Sequence, residues 1–346
     1  MLNNEIILEN LQNSTSPHKP VLPREVLSVF TNDLKNFDKN MSNKKLTKLK
    51  QHQKTQSELK PEPEKNIILD CTLGYGGHTE LLLQSGFEVI GCDRDATAIE
   101  YCKEKFGGFG GKFSCVKSDF ASLLDKLTPS QKSRICGVLA DIGVSSLQLD
   151  LDERGFGMSS KRLDMRMDLS GDLSAKEVVN HYSQEELERI LRQNAQLPNA
   201  HTLASKIVLA RSKMEIGSVD ELACVIGQER LFGRNVKILT LVLQAIRIEV
   251  NDELTQLRTL LNNVSQLCDF TLCVISFHSL EDRIVKEYFK LWGQECSCPP
   301  EAICCQCDKN NAKGFALTKK PLTPQADEVR LNSRASCAKL RAFRFF

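Results

Sequence analysis

The sequence predicts an α/β protein built on a parallel, doubly wound sheet and interrupted by an all-helical insertion. Three observations carry this. Short apolar runs alternate with helical stretches from Ile67 to Gln148, the order that buries both faces of a parallel sheet. A glycine-rich turn, Gly74 to His78, stands directly between a strand and a helix. Where the alternation stops, Ser174 with Glu177, Ser183 with Glu186 and Ser218 with Glu221 follow as capping boxes. Each box supplies a hydroxyl and a carboxylate to the free amides of a helix start.

Taken in order, residues 1 to 16 are polar, and His18 to Leu27 reads as an extended piece leading into a helix. From Thr31 to Lys65 lysine and amide residues dominate and large apolar residues are scarce. Such a stretch cannot bury enough surface to offset its chain entropy, so 31–65 is expected to be a disordered insertion. Strands are predicted at Ile67–Asp70, Gly86–Asp93, Phe113–Lys117, Gly137–Asp141 and Leu272–Ser276. Helices are predicted at Thr79–Gln84, Ala96–Phe106, about Val236–Leu261 and Ser279–Trp292. The expected organisation is an N-terminal segment (1–66), a first sheet part (67–150), a helical domain (151–236) and a second sheet part (237–346). The last part ends in a basic segment, in which lysines and arginines face only Asp327 and Glu328 between Lys309 and Arg344. That segment reads as a solvated tail or an RNA-facing surface.

At 346 residues with 41% apolar content the chain holds enough material for a real core, and its net charge of +2 says nothing about nucleic acid. No apolar run approaches the roughly 18 residues of a membrane helix, so no membrane partner is expected. The first ten residues carry Glu5 and Glu9 without arginine, unlike a signal or transit peptide. Fourteen cysteines are then expected as reduced thiols in an intracellular protein. The cytoplasm is the expected compartment, with the mitochondrial matrix as the alternative for a eukaryotic source.

The glycines of Asp70-Cys-Thr-Leu-Gly74-Tyr-Gly76-Gly77-His78 let backbone approach a ligand at a helix N-terminus. Asp93, ending the next strand, suits the two hydroxyls of an adenosine ribose. The spacing is not G-x-G-x-x-G, because position 79 is Thr. A nucleotide-type cofactor is expected from these residues, with NAD(P) and S-adenosylmethionine both open; a tight turn beside a surface aspartate is the plain alternative. Asp141, ending the fourth strand, belongs at the ligand crevice of such a sheet, where strand C-termini gather.

Further segments recur in order: Ala140 to Asp150, Glu153-Arg-Gly-Phe156, Leu163-Asp-Met-Arg-Met-Asp168, Gln244-Ala-Ile-Arg-Ile248, Ile275-Ser-Phe-His-Ser-Leu-Glu-Asp-Arg283, Lys320-Pro-Leu-Thr-Pro324 and Asn332 to Arg341. With the glycine-rich turn, they make the chain resemble the small-subunit ribosomal RNA cytosine-N4 methyltransferases, the MraW/RsmH family, over roughly 17–30 and 66–346. The resemblance implies a Rossmann-like methyltransferase sheet with an inserted helical domain, S-adenosylmethionine as cofactor and small-subunit ribosomal RNA, or the small ribosomal subunit, as partner. It implies cofactor contacts at Gly76, Gly77, His78, Asp93, Phe120, Asp141 and Gln148. Two segments depart from the family pattern, Asn194-Ala-Gln-Leu197 and Lys237-Ile-Leu239. They leave open a catalytically weakened, family-derived ribosome-binding factor.

The N4 amine of cytosine is a poor nucleophile, so an enzyme must hold it in line with the methyl group and take up a proton. Asp141 is the first candidate for that role and His278 the second. A base inside folded RNA must be unstacked to reach such a pocket; Arg247, Arg283, Arg334, Lys339 and Arg341 are the candidate phosphate contacts. Between Cys296 and Cys307 five cysteines crowd together. Cys296, Cys298, Cys305 and Cys307 have a donor set that suits a structural zinc, with unligated thiols as the alternative.

Overall fold

A computed structural model describes residues 19–31, 65–144, 146–227, 229–231, 236–296, 298, 306–307 and 311–346. Most of the lysine-rich stretch therefore lies outside the described residues. In chain order the first elements are α1 (Pro23–Phe30), β1 (Ile67–Asp70), α2 (Gly77–Gln84), β2 (Glu88–Asp93), α3 (Ala96–Phe106) and β3 (Phe113–Lys117). They are followed by α4 (Pro129–Ser133), β4 (Ile135–Ile142), α5 (Ser146–Asp150), α6 (Ala175–His181), α7 (Gln184–Ala195), α8 (Ala200–Arg211) and α9 (Val219–Ile226). Last come α10 (Ile238–Asn251), α11 (Glu253–Val264), β5 (Thr271–Ser276), α12 (Ser279–Trp292), β6 (Gly314–Ala316), α13 (Ala326–Leu331) and β7 (Lys339–Phe345).

Contacts divide the chain into two compact units, 1–143 with 257–346 and 144–256. The first holds a seven-stranded sheet in the order β3-β2-β1-β4-β5-β7-β6. β3 to β5 run parallel, and β7 and β6 add antiparallel to that edge. β1 and β5 are buried at every position, as a strand covered on both faces must be. The chain runs outward from β1 to β3 and returns to β4 beside β1. That reversal opens a crevice outside the carboxyl ends of β1 and β4, where ligands of such sheets bind.

The basic C-terminal stretch is not a tail. Lys339–Phe345 pairs with β5 from Ser276↔Lys339 to Thr271↔Arg344. Phe345 stacks on Phe270 at 4.5 Å and lies 4.9 Å from Trp292, so apolar packing fixes the strand. Its charges are neutralised locally: Arg344 pairs with Asp269, and Arg341 with Asp282.

In the second unit, α6 to α10 pack around a separate core that includes Val178, Leu187, Ile190, Leu203, Leu222, Val242 and Ile246. The boxes at Ser183 and Ser218 are complete, whereas Ser174 only accepts from the Glu177 amide. The long helix expected over 236–261 is two helices. Asp252 ends α10 in the left-handed region at φ 51°, which breaks the ladder before α11. Asn251 holds the Leu163–Asp168 motif in place: it accepts from the Met167 amide at 2.8 Å and donates to the Met165 carbonyl at 2.8 Å. Among the described residues no helix is long and apolar enough to cross a membrane.

Candidate active site at the carboxyl edge of the sheet

Asp70, Asp93 and Asp141 come from the carboxyl ends of β1, β2 and β4. They differ in how their charge is supported. Asp70 is buried and accepts from the Thr72 amide at 3.2 Å and the Thr79 hydroxyl at 2.7 Å. These bonds tie the end of β1 to the start of α2. Asp93 accepts from the amides of Gly74 at 2.8 Å and Asp95 at 2.9 Å, so it shapes the glycine-rich turn. Burial raises both carboxyls to about 6 against these donors.

The turn needs its glycines. Gly76 sits at φ 73°, and a Cβ there would lie 2.4 Å from the Phe106 ring. A Cβ on Gly77 would lie 3.0 Å from Pro20, because the N-terminal segment packs over the start of α2. The same segment reaches His78, a buried residue whose Nε2 lies 2.8 Å from the Val21 carbonyl. Its Nδ1 is 3.6 Å from Asp141 Oδ2. His78 is thus enclosed between Val21 and Asp141, a connection the sequence gives no sign of.

Asp141 has the least support. Its amide donates to the Thr72 hydroxyl at 2.7 Å, which registers β4 against the turn after β1. Among the described residues its own Oδ1 is buried without a hydrogen-bond partner. Burial first, then the nearby acids Asp70 and Glu281, push this carboxyl up to about 8. Burial pushes His78 down to about 4, against the hydrogen bond to Val21. An unpartnered, electron-rich oxygen at the switch point of the sheet fits a cationic ligand group, and the sulfonium of S-adenosylmethionine is one. Phe120 is half-buried just after β3, where the Ser118 amide donates to the Asp93 carbonyl at 3.0 Å. Gln148 is buried in α5 and belongs to the helical unit.

His278 caps α12 in a box with Glu281. Its Nδ1 accepts from the Glu281 amide at 3.4 Å, and its Nε2 is 3.0 Å from Glu281 Oε1 without the alignment of a hydrogen bond. Both ring nitrogens thus face their own helix start. A capping box headed by histidine escapes the usual Ser/Thr pattern, so the sequence hides this role.

The basic candidates separate into two groups. Arg247 makes a two-pronged pair with Glu253 at 2.8 and 2.9 Å, and Arg341 holds Asp282 at 2.7 Å while nearly buried. Both are committed inside the protein. Lys339 lies 3.6 Å from Asp282 and stays partly exposed, and Arg283 and Arg334 are exposed. The thiol sulfurs of Cys296, Cys298 and Cys307 all lie within 4.8 Å of one another. Cys305 falls outside the described residues.

Residues 15–346 match the MraW methylase family. The chain belongs to that family. A Campylobacter fetus protein called ribosomal RNA small subunit methyltransferase H is 46% identical over 332 residues, which cover 95% of this chain and 97% of the relative. Proteins of the same name from Campylobacter curvus and Campylobacter lari are 48% and 45% identical, covering 80% and 95% of this chain and 91% and 99% of theirs. The methyl donor of that methyltransferase family is S-adenosylmethionine.

Asp93→Ala removes a charged acceptor and also frees the Gly74 amide, so it should weaken S-adenosylmethionine binding by about 2–4 kcal/mol. Calorimetric titration of the variant checks this. Wild-type affinity would remove Asp93 from the cofactor frame.

Proposed function

We propose that this chain is an S-adenosylmethionine-dependent methyltransferase that methylates the N4 amine of a cytosine in small-subunit ribosomal RNA. The unpartnered buried oxygen of Asp141, at the crevice between β1 and β4, is the observation that carries the chemistry. The relatives' shared name supports the substrate.

The cofactor, when bound, supplies an already activated methyl group, so the protein's work is positioning and proton handling. Gly76 and Gly77 keep the turn low enough for a ligand to approach the backbone. Asp93 offers its remaining lone pairs to ribose hydroxyls, and Phe120 offers a ring face to adenine. Asp141 receives a hydrogen bond from the N4 amine, orients its lone pair and takes the proton it loses. His78 acts behind Asp141, and Gln148 is assigned on resemblance alone. His278 has the weaker claim to a chemical role, because its ring serves the start of α12.

The folded small subunit is the proposed substrate, with the target base unstacked from it. Exposed Arg283 and Arg334, with Lys339, are the phosphate contacts supported by their exposure; Arg247 and Arg341 are not. The cytoplasm is the proposed compartment, since the relatives are bacterial. A weakened ribosome-binding factor draws no support. Asp70, Asp93 and Asp141 stand at the carboxyl ends of three strands, and the departing Asn194 packs in the helical unit, donating to the Ala245 carbonyl at 3.3 Å.

A structural zinc at the cysteine cluster is the further part of this reading. Zinc–sulfur bonds of about 2.3 Å set tetrahedral sulfurs about 3.8 Å apart, and Cys307 Sγ is 3.5 Å from Cys296 Sγ. The Gln306 amide points at Cys298 Sγ from 3.2 Å, the kind of donor that supports a ligating thiolate. Cys305 is the fourth ligand by sequence. Elemental analysis of protein purified without added metal should find about one zinc per chain. Less than about a tenth of an equivalent, with thiols that react fully, would leave the cluster metal-free.

For the reaction, Asp141→Asn and Asp141→Ala should both fold and bind substrate. Their single-turnover transfer to small subunits should fall about 100-fold or more, the scale of a positioned acid–base group. The product to identify in the digested RNA is N4-methylcytidine. A different methylated nucleoside from the wild type would overturn the substrate, and near wild-type rates in both variants would overturn the role of Asp141.

A further inference from the structure

We propose that His78 and Asp141 hold one proton between them in the cofactor-free protein, that this proton leaves when the cationic cofactor binds, and that His78 is the residue that positions it on Asp141. The proposal rests on the methyltransferase reading above.

The geometry fixes the tautomer first. The Val21 carbonyl carries only lone pairs, so Nε2 at 2.8 Å from it must bear the ring's hydrogen. A neutral His78 then presents a bare Nδ1 to Asp141 Oδ2 at 3.6 Å. A neutral carboxylic acid is the form of Asp141 that can donate toward that lone pair.

Hydrogen-bond donors then decide which acid keeps a proton. Asp70 accepts from one amide and one hydroxyl, and Asp93 accepts from two amides. Among the described residues Asp141 has a buried Oδ1 with no donor, and its backbone amide is turned to Thr72 instead. A buried carboxylate without donors is the costliest of the three to ionise. Among the described residues, the ionisable groups that act on it add no positive charge. Asp70 from β1 and Glu281 from α12 are acids that raise it further. Cys273 of β5 is a buried thiol held well above its usual range, with Asp141 as one cause. His78 of α2 is itself kept neutral by burial, at about 4, while Asp141 lies at about 8.

The balance of the reaction gives this proton its purpose. During transfer the carbon–sulfur bond breaks with its electron pair left on sulfur, and a nitrogen–carbon bond forms. The amine N–H pair stays on nitrogen, and one proton must leave. Asp141 is an anion while it faces a positive sulfur, and it regains its affinity for a proton once that sulfur is neutral. It therefore takes up the proton that the N4 amine loses, and the site ends with the charge it had before the cofactor bound.

Calorimetric titration of the full chain at pH 7, repeated in buffers of different ionisation enthalpy, counts the protons released. S-adenosylmethionine should release about one proton, and S-adenosylhomocysteine, whose sulfur is neutral, less than about half of one. Asp141→Asn should bring the two ligands level. His78→Phe keeps a flat aromatic ring, removes both nitrogens and should lower the release with S-adenosylmethionine. A purely structural His78 would leave the release at the wild-type value. Nitrogen-15 spectra of the wild-type ring give a second test that needs no variant: they should report a neutral Nε2–H imidazole down to about pH 5. Equal release with both ligands, unchanged release in a folded His78→Phe protein, or a ring that titrates near its ordinary value would each overturn the proposal. Failure of the wild type to bind either ligand would instead overturn the methyltransferase reading.

Discussion

The site depends on burying carboxyl groups side by side at one edge of a parallel sheet. Parallel strands all end on the same side, so Asp70, Asp93 and Asp141 converge without any residue being close in sequence. Desolvation and mutual repulsion oppose this arrangement. Local donors answer it unevenly. Thr72 and Thr79 serve Asp70, Gly74 and Asp95 serve Asp93, and among the described residues nothing donates to the Oδ1 of Asp141. The Thr72 hydroxyl accepts from the Asp141 amide, so one threonine links the turn after β1 to the end of β4. The turn thus gets its shape from acids held by their donors, and the one acid left unsupported is the one that keeps its proton until a cation arrives.

Segments from the two ends of the chain complete that arrangement. Pro20 packs over Gly77, and Val21 takes the hydrogen bond of His78. The Leu22 amide donates to Glu328 at 2.7 Å, so the N-terminal segment is anchored to a residue near the C-terminus. β7 lies between β5 and β6, and its Arg341 holds Asp282 at the start of α12. The helix that carries Glu281 toward Asp141 is therefore braced by the last strand.

Much of this was legible in the sequence, for a physical reason in each case. Strand–helix alternation and the glycine-rich turn are local signals, and they gave the sheet, its crevice, Asp93 and Asp141. Ser183 and Ser218 announce helices because a capping box lies within four residues. What stayed hidden depended on distant partners. β7 reads as a basic stretch because Lys339, Arg341 and Arg344 dominate its composition, although Leu340, Ala342, Phe343 and Phe345 are buried. Arg247 and Arg341 read as phosphate contacts because their partners, Glu253 and Asp282, are visible only in space. His78 reads as the first side chain of a helix, and its tie to Val21 spans 57 positions. The break at Asp252 has no proline or glycine to announce it.

The three aspartates are buried at the cost of their ionisation and await a cation. Each has a carboxyl raised above its unfolded value. The folded chain therefore binds more protons than the unfolded chain between the two sets of values, and stability must fall as pH rises through about 6 to 8. Thermal melting of the cofactor-free protein across pH 5.5 to 9 reads this directly, beside Asp141→Asn, in which the most strongly raised group no longer titrates. The melting temperature should fall toward high pH by a few degrees or more in the wild type, follow a flatter curve in the variant, and recover on adding S-adenosylmethionine. A wild-type melting temperature that is flat or rises over that range, with the variant following the same curve, would contradict it.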